Sequence, residues 1–151
     1  MMRKIGVLLV AAILTGCASY ASVDNERMGS LPQHYSQFDL KMAWEVNLTE
    51  NGTLVTGEVQ NLRYAFMEGI EIWVAVVEAS GKVGKSSVSF IIPSRLDQDE
   101  IAPFSVKLPV RVAPGTRLRF TYKYRGSDGG DSDGGGAGDW MQSFEAVVPN
   151  R

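Results

Sequence analysis

The chain has 151 residues, with 15 basic and 17 acidic side chains, one histidine and one cysteine, and a formal net charge of −2. That length suits one domain of about 100–150 residues. The acidic balance argues against a polyanion-binding protein, so no nucleic-acid partner is expected. One cysteine leaves no disulfide framework, and one histidine leaves no metal-spaced Cys/His set.

Residues 1–16 have the tripartite build of an export signal. Arg3 and Lys4 form a positive start, Ile5 to Leu14 an apolar run, and small residues follow. The run is too short to cross a bilayer core, which needs about 20 apolar residues. Leu14-Thr15-Gly16-Cys17 resembles the lipobox of bacterial lipoproteins. That resemblance implies cleavage between Gly16 and Cys17, a diacylglyceryl thioether on Cys17, and an acylated amino terminus, palmitate being one such chain. The alternative is a conventional signal with a coincidental cysteine, which would leave a lone thiol in an oxidising compartment. Each buried acyl methylene contributes about 0.8 kcal/mol, so several chains anchor a protein firmly. An aspartate after the cysteine typically retains such proteins in an inner membrane. Ala18 therefore implies the periplasmic side of an outer membrane, or the cell membrane of a host with only one. Loss of Arg3 and Lys4 with the leader leaves 13 basic against 17 acidic residues.

Residues 17–37 comprise that cysteine and a polar stretch containing Gly29 and Pro32, without periodicity, which is expected to be a flexible tether. From residue 38 to residue 151 the chain is written in period two. Phe38, Leu40, Met42, Trp44, Val46 and Leu48 alternate with Asp39, Lys41, Ala43, Glu45 and Asn47, the pattern of a half-buried strand. Asn51-Gly52 predicts a hairpin turn into a strand over 53–60. Ile70 to Val77 is apolar on both faces, as in a central strand. Val83 to Ile92 follows the turn at Gly81, with Val88, Phe90 and Ile92 on one face. A loop bounded by Pro93 and Pro103 leads to Phe104, Val106, Leu108 and Val110, and Pro109 marks an edge or a strand end. Leu118, Phe120, Tyr122 and Tyr124 alternate with Arg117, Arg119, Thr121 and Lys123. A last strand carries Phe144, Ala146 and Val148. About seven short strands at this spacing predict an all-β, antiparallel immunoglobulin-like β-sandwich, with a small barrel as the alternative.

Residues 54–120 are similar to the FxLYD-type and water-stress families of immunoglobulin-like domains. The likeness lies in VTGEVQN, WVAVVEASGKV and FSV, with Val55, Gly57, Val59, Asn61, Gly81, Val83 and Phe104 at matching places. At Val74 to Glu78 the aromatics and aspartate of the naming motif are absent. The resemblance implies an envelope lipoprotein with this fold and transfers no catalytic residue.

An enzyme is not expected. His34 falls in the expected tether, and a Ser-His-Asp arrangement needs a rigidly held histidine. No HExxH motif and no phosphate loop occurs. The segment 126–139, GSDGGDSDGGGAGD, offers Asp128, Asp131, Asp133 and Asp139 as candidate calcium ligands. An EF-hand reading of it lacks the closing glutamate, and a soluble Gly-rich loop is preferred. Arg117, Arg119, Lys123 and Arg125 form a basic stripe. It is either an anion-binding surface or a solvated face paired with acids such as Glu145, and pairing is preferred.

Tyr64, Phe66, Met67 and Trp73 are the candidate contact residues for a partner, being more apolar than exposure favours. The expected protein is a lipid-anchored, non-enzymatic module in the envelope, without a cofactor beyond the lipid on Cys17, that touches a membrane and an envelope protein. The alternative is a calcium- or polysaccharide-binding module that uses the Asp/Gly loop beside Trp140.

Overall fold

The computed structural model describes residues 18–126 and 138–150. One helix, α1 (Ala18–Ser30), precedes nine strands: β1 (Gln33–Ser36), β2 (Leu40–Thr49), β3 (Gly52–Asn61), β4 (Met67–Val77), β5 (Val83–Phe90), β6 (Arg95–Leu96), β7 (Ile101–Leu108), β8 (Arg117–Gly126) and β9 (Gly138–Val147). Seven of them have eight or more residues, and β1 and β6 are short additions. The first sheet runs β1-β2-β3-β7. The second runs β5-β4-β8-β9, with β6 on β4. Every pairing is antiparallel. The fold is an immunoglobulin-like β-sandwich, and two separate sheets replace the barrel alternative.

Period two makes this core. Leu40, Met42 and Trp44 on β2 face Val55 and Val59 on β3 and Phe104, Val106 and Leu108 on β7. From the second sheet come Ile72 and Val74 on β4, and Leu118, Phe120 and Tyr122 on β8, all buried. Trp44, Phe120 and Phe144 pack with ring centroids 4.7–5.7 Å apart, and Tyr35 of β1 stacks on Phe144 at 3.6 Å. β1 thus closes one open side of the sandwich, where the Gln33 amide also donates to the Val147 carbonyl. Rings of this size supply much of the packing where no inter-sheet disulfide exists.

Several expectations are corrected. The segment read as a flexible tether is α1 and β1. Met28 of α1 and Leu31, just after it, bury against Ala43 on the outer face of the first sheet, and Arg27 pairs with Glu58 at 3.4 Å. His34 lies on β1 opposite Ala43, with its side chain exposed, not on a tether. Phe38 does not enter the core, because β2 begins only at Leu40 and the preceding turn frees Phe38 from the strand's parity. The β2–β3 turn is Glu50-Asn51, with Gly52 already paired to Thr49. Gly52 is needed for close approach: an added Cβ would strike the carbonyl oxygen of Leu108. β7 starts at Ile101 and includes Pro103, which is tolerated because β7 pairs on one side only. Phe90 and Ile92 are exposed, because β5 is an edge strand and ends at Phe90.

Candidate interaction surfaces

Two outer faces flank the sandwich, and they differ. The face of β1-β2-β3-β7 is partly covered by α1. There Glu58 is buried, and the carboxyl is held above its ordinary value by desolvation, against the pull of Arg27 and with a push from Asp24. Helix docking over this carboxylate is the physical cause of the shift.

The face of β5-β4-β8-β9 is organised by the strand register. One row runs Phe90, Glu71, Lys123, Met141, and the next runs Val88, Trp73, Thr121, Ser143. Phe90 and Met141 are 65% and 66% exposed, so two large apolar side chains flank the half-buried Trp73. The Trp73 indole N–H donates to Glu71 at 2.7 Å, and the Lys123 ammonium lies 5.2 Å from its ring centroid. Beside this row lies a depression of about 620 Å³ whose lining includes Glu68, Glu71, Lys123, Arg125, Asp139 and Met141. Gly69 shapes it. The β4–β8 register shifts between Glu68 and Glu71, and Gly69 supplies the positive φ of 58° in that bulge.

The expected basic stripe lies on this face, and its three arginines are paired. Arg119 and Arg117 reach Glu145 at 2.7 and 3.4 Å, and Arg125 reaches Asp139 at 3.4 Å. The Glu145 carboxyl is held below its ordinary value, chiefly by the hydrogen bond from Arg119. The neighbouring Thr121 and Ser143 hydroxyls bond at 2.7 Å.

A third surface is the sandwich end where β2 begins and β3 and β8 finish. Its centre is a buried carboxylate that parity placed on the solvent face. Asp39 accepts hydrogen bonds from the Leu40 N–H at 3.0 Å, from the Tyr122 hydroxyl at 3.1 and 3.2 Å, and from the Tyr124 hydroxyl at 2.9 Å. Burial, then the Asp39 charge, drive the Tyr122 phenol far upward. Burial, then the hydrogen bond to Asp39, push Tyr124 to about 12. Outside this pair the Tyr124 ring stacks on Trp140 at 6.4 Å. The Arg63 guanidinium lies 5.7 and 5.3 Å from the Tyr124 and Trp140 ring centroids, and Phe38 meets Trp140 edge-on at 6.1 Å. Asn61 fixes the loop before β4. Its amide donates to the Ala65 and Leu96 carbonyls, and its oxygen accepts from the Arg63 N–H.

The four candidate contact residues therefore separate. Met67 is fully buried in the core and cannot touch a partner: simple alternation would put it on the outer face with Trp73, but the bulge between Glu68 and Glu71 reverses the parity and turns it inward, opposite Leu96. Tyr64 is 94% exposed at the sandwich end. Phe66 lies nearby under the Arg95 guanidinium, 4.0 Å from its ring centroid. Trp73 lies on the open sheet face. Asp139 is exposed and paired with Arg125, while Asp128, Asp131, Asp133, Gly16 and Cys17 lie outside the described residues. Among the described residues, no three His, Cys, Asp or Glu side chains gather to hold a metal. Among them too, no helix is long and apolar enough to cross a membrane. Sequence reasoning missed Phe90, Met141 and Asp39; the alternation in β5 and β9 carried a signal only for the first two.

No family model matches the chain, and no curated protein does. Among solved structures, the GAE domain of GGA2p from Saccharomyces cerevisiae is similar, at 12% identity and a TM-score of 0.49, over 79% of this chain and 98% of that one.

Proposed function

We propose that the protein is a lipid-anchored envelope module that works by protein contact rather than by catalysis. The leader and the Leu14-Thr15-Gly16-Cys17 stretch support the anchor, with the acyl groups on Cys17 and the body on the periplasmic side. The observation that carries the contact reading is the asymmetry of the two faces. One is partly covered by α1, while the other exposes Phe90 and Met141 on its two outer strands, with Glu71, Lys123 and the half-buried Trp73 between them. Large exposed apolar side chains beside a half-buried tryptophan, interleaved with charged groups, suit contact with a protein surface. Anchoring confines both partners to two dimensions and raises their effective concentration, so a patch of modest affinity suffices.

The test is mass analysis of the amino-terminal peptide from native membranes, followed by co-purification. An acylated Cys17, with a discrete protein partner that is lost on Phe90→Asp, supports the reading. An unmodified thiol removes the anchor, and a partner yield unchanged by Phe90→Asp removes the contact face.

A further inference from the structure

We infer that the sandwich end bearing Phe38, Tyr64, Ile92 and Trp140 rests on the lipid surface, so that the protein stands on this end with its β5-β4-β8-β9 face upright. The inference rests on the anchoring of Cys17 proposed above and adds an orientation to it. It starts from the direction of α1. Past the helix's carboxyl end at Ser30, Leu31 and Pro32 lead into Gln33, which pairs with Trp44 in the middle of β2. Asp24, seven residues before Leu31, and Asn25 line a depression with Asp99, Glu100 and Ile101. Ile101 pairs with Gln60, next to the Leu40–Asn61 pair at the end of the sheet. Read backward from Leu31, α1 therefore runs toward the end where β2 begins. Six more residues lead to Ala18, a rise of about 9 Å at 1.5 Å per residue. Cys17 is peptide-bonded to Ala18, and one Cα spacing is about 3.8 Å. The anchor point thus leaves from this end, with little slack between lipid and body.

The same end carries the exposed rings. Phe38 is 71% exposed, Ile92 81%, Trp140 44%, and Tyr64 protrudes almost wholly. These three rings and the aliphatic Ile92 come from three connections, the β1–β2 turn, the β3–β4 loop and the β5–β6 loop, and from the start of β9. Phe, Tyr and Trp side chains of this kind favour the interface between headgroups and acyl chains. Arg95 is paired with Asp97 and Arg125 with Asp139, while Asp99 and Glu100 add exposed negative charge, so apolar and aromatic contact, not attraction to anionic headgroups, is what this end offers a membrane. The Asp39–Tyr124 bond and the Asn61 bonds hold the rings on a rigid base. Once the acyl chains hold the protein at the surface, even weak partitioning of these rings is intramolecular and fixes the tilt.

The experiment uses the full-length lipidated protein, in which an acylated Cys17 leaves an introduced cysteine as the only free thiol. A polarity-sensitive fluorophore is attached at Tyr64→Cys or, at the opposite end, at Lys82→Cys. Each protein is reconstituted into phosphatidylethanolamine/phosphatidylglycerol vesicles with or without brominated acyl chains. Emission from position 64 is expected to fall by roughly half in brominated lipid, with position 82 unchanged, since only an interfacial probe meets the bromines. Equal emission at both positions in protein that floats with the vesicles overturns the orientation and leaves the anchor standing. Protein that reacts with the fluorophore at Cys17 and fails to float overturns both. A protein adduct formed by a photocrosslinker at position 64 in native membranes, without quenching in vesicles, gives this end to a protein partner and also overturns the inference.

Discussion

At the residue scale the controlling feature is Asp39. A buried carboxylate that accepts from two phenols and a backbone N–H is stable only while all three donors are present. Asp39→Ala should cost about 3 kcal/mol, because two buried hydroxyls lose their acceptor. A urea titration followed by tryptophan emission measures it, and a loss below about 1 kcal/mol would mean that water replaces the carboxylate. The phenols give a second readout. Their folded values lie above the ordinary 10.0, with Tyr124 at about 12 and Tyr122 higher. The neutral phenol is the form the fold prefers, so this contribution is complete below pH 10 and is lost as pH rises through about 12. Ultraviolet titration of the native protein should therefore show two of the five tyrosines ionising only with unfolding, and five ordinary titrations would contradict the network. The sequence hid this site for a physical reason. Tyr122 and Tyr124 are 83 and 85 positions from Asp39, and alternation along one strand carries no information about such distant donors. Parity also failed at Phe38, because it holds only inside a strand and β2 begins two residues later.

At the element scale, most long strands were legible because apolar and polar residues alternate along them, so residue order records the fold's main periodicity. Turns and edges were less legible. The Glu50-Asn51 turn and the place of Gly52 depend on the carbonyl of Leu108, contributed by a strand about fifty residues away. The helix α1 was invisible because its docking needs only Met28 and, just beyond its end, Leu31, too few apolar positions to mark a period of 3.6. Its seat on Glu58 makes a pH prediction. The folded carboxyl lies above the ordinary 4.5, so its stabilising contribution is complete below that value and is lost as pH rises through the raised one. Thermal stability of the wild type should rise on mild acidification through that window, and Glu58→Gln should flatten the profile there. An unchanged profile in Glu58→Gln would show that helix docking does not desolvate this side chain. Glu145 runs in the opposite sense: the lowered carboxyl favours the fold above 4.5, and its contribution is lost as pH falls through the lowered value. Being exposed, that pairing weakens with added salt.

At the scale of the whole molecule, a rigid helix in place of a tether changes what anchoring means. A loose linker would let the body sample every orientation, whereas α1 packed on the first sheet ties one end of the sandwich to the residue next to Cys17. Under the reading proposed above the three surfaces divide the work: one sheet face carries the helix, the end is assigned to lipid, and the β5-β4-β8-β9 face to a partner. Of this arrangement the sequence disclosed the sandwich and the aromatic residues of the 63–67 loop. It did not disclose which of them share a face, since Met67 and Trp73 lie on one strand with opposite fates. The most direct measurement is site-specific photocrosslinking in native membranes, with a photoreactive residue in place of Phe90 or, as the control on the other face, Lys107. The account predicts one discrete protein adduct from position 90 and none from position 107. Adducts of equal yield from both positions, or none from position 90 in folded, membrane-bound protein, would contradict it.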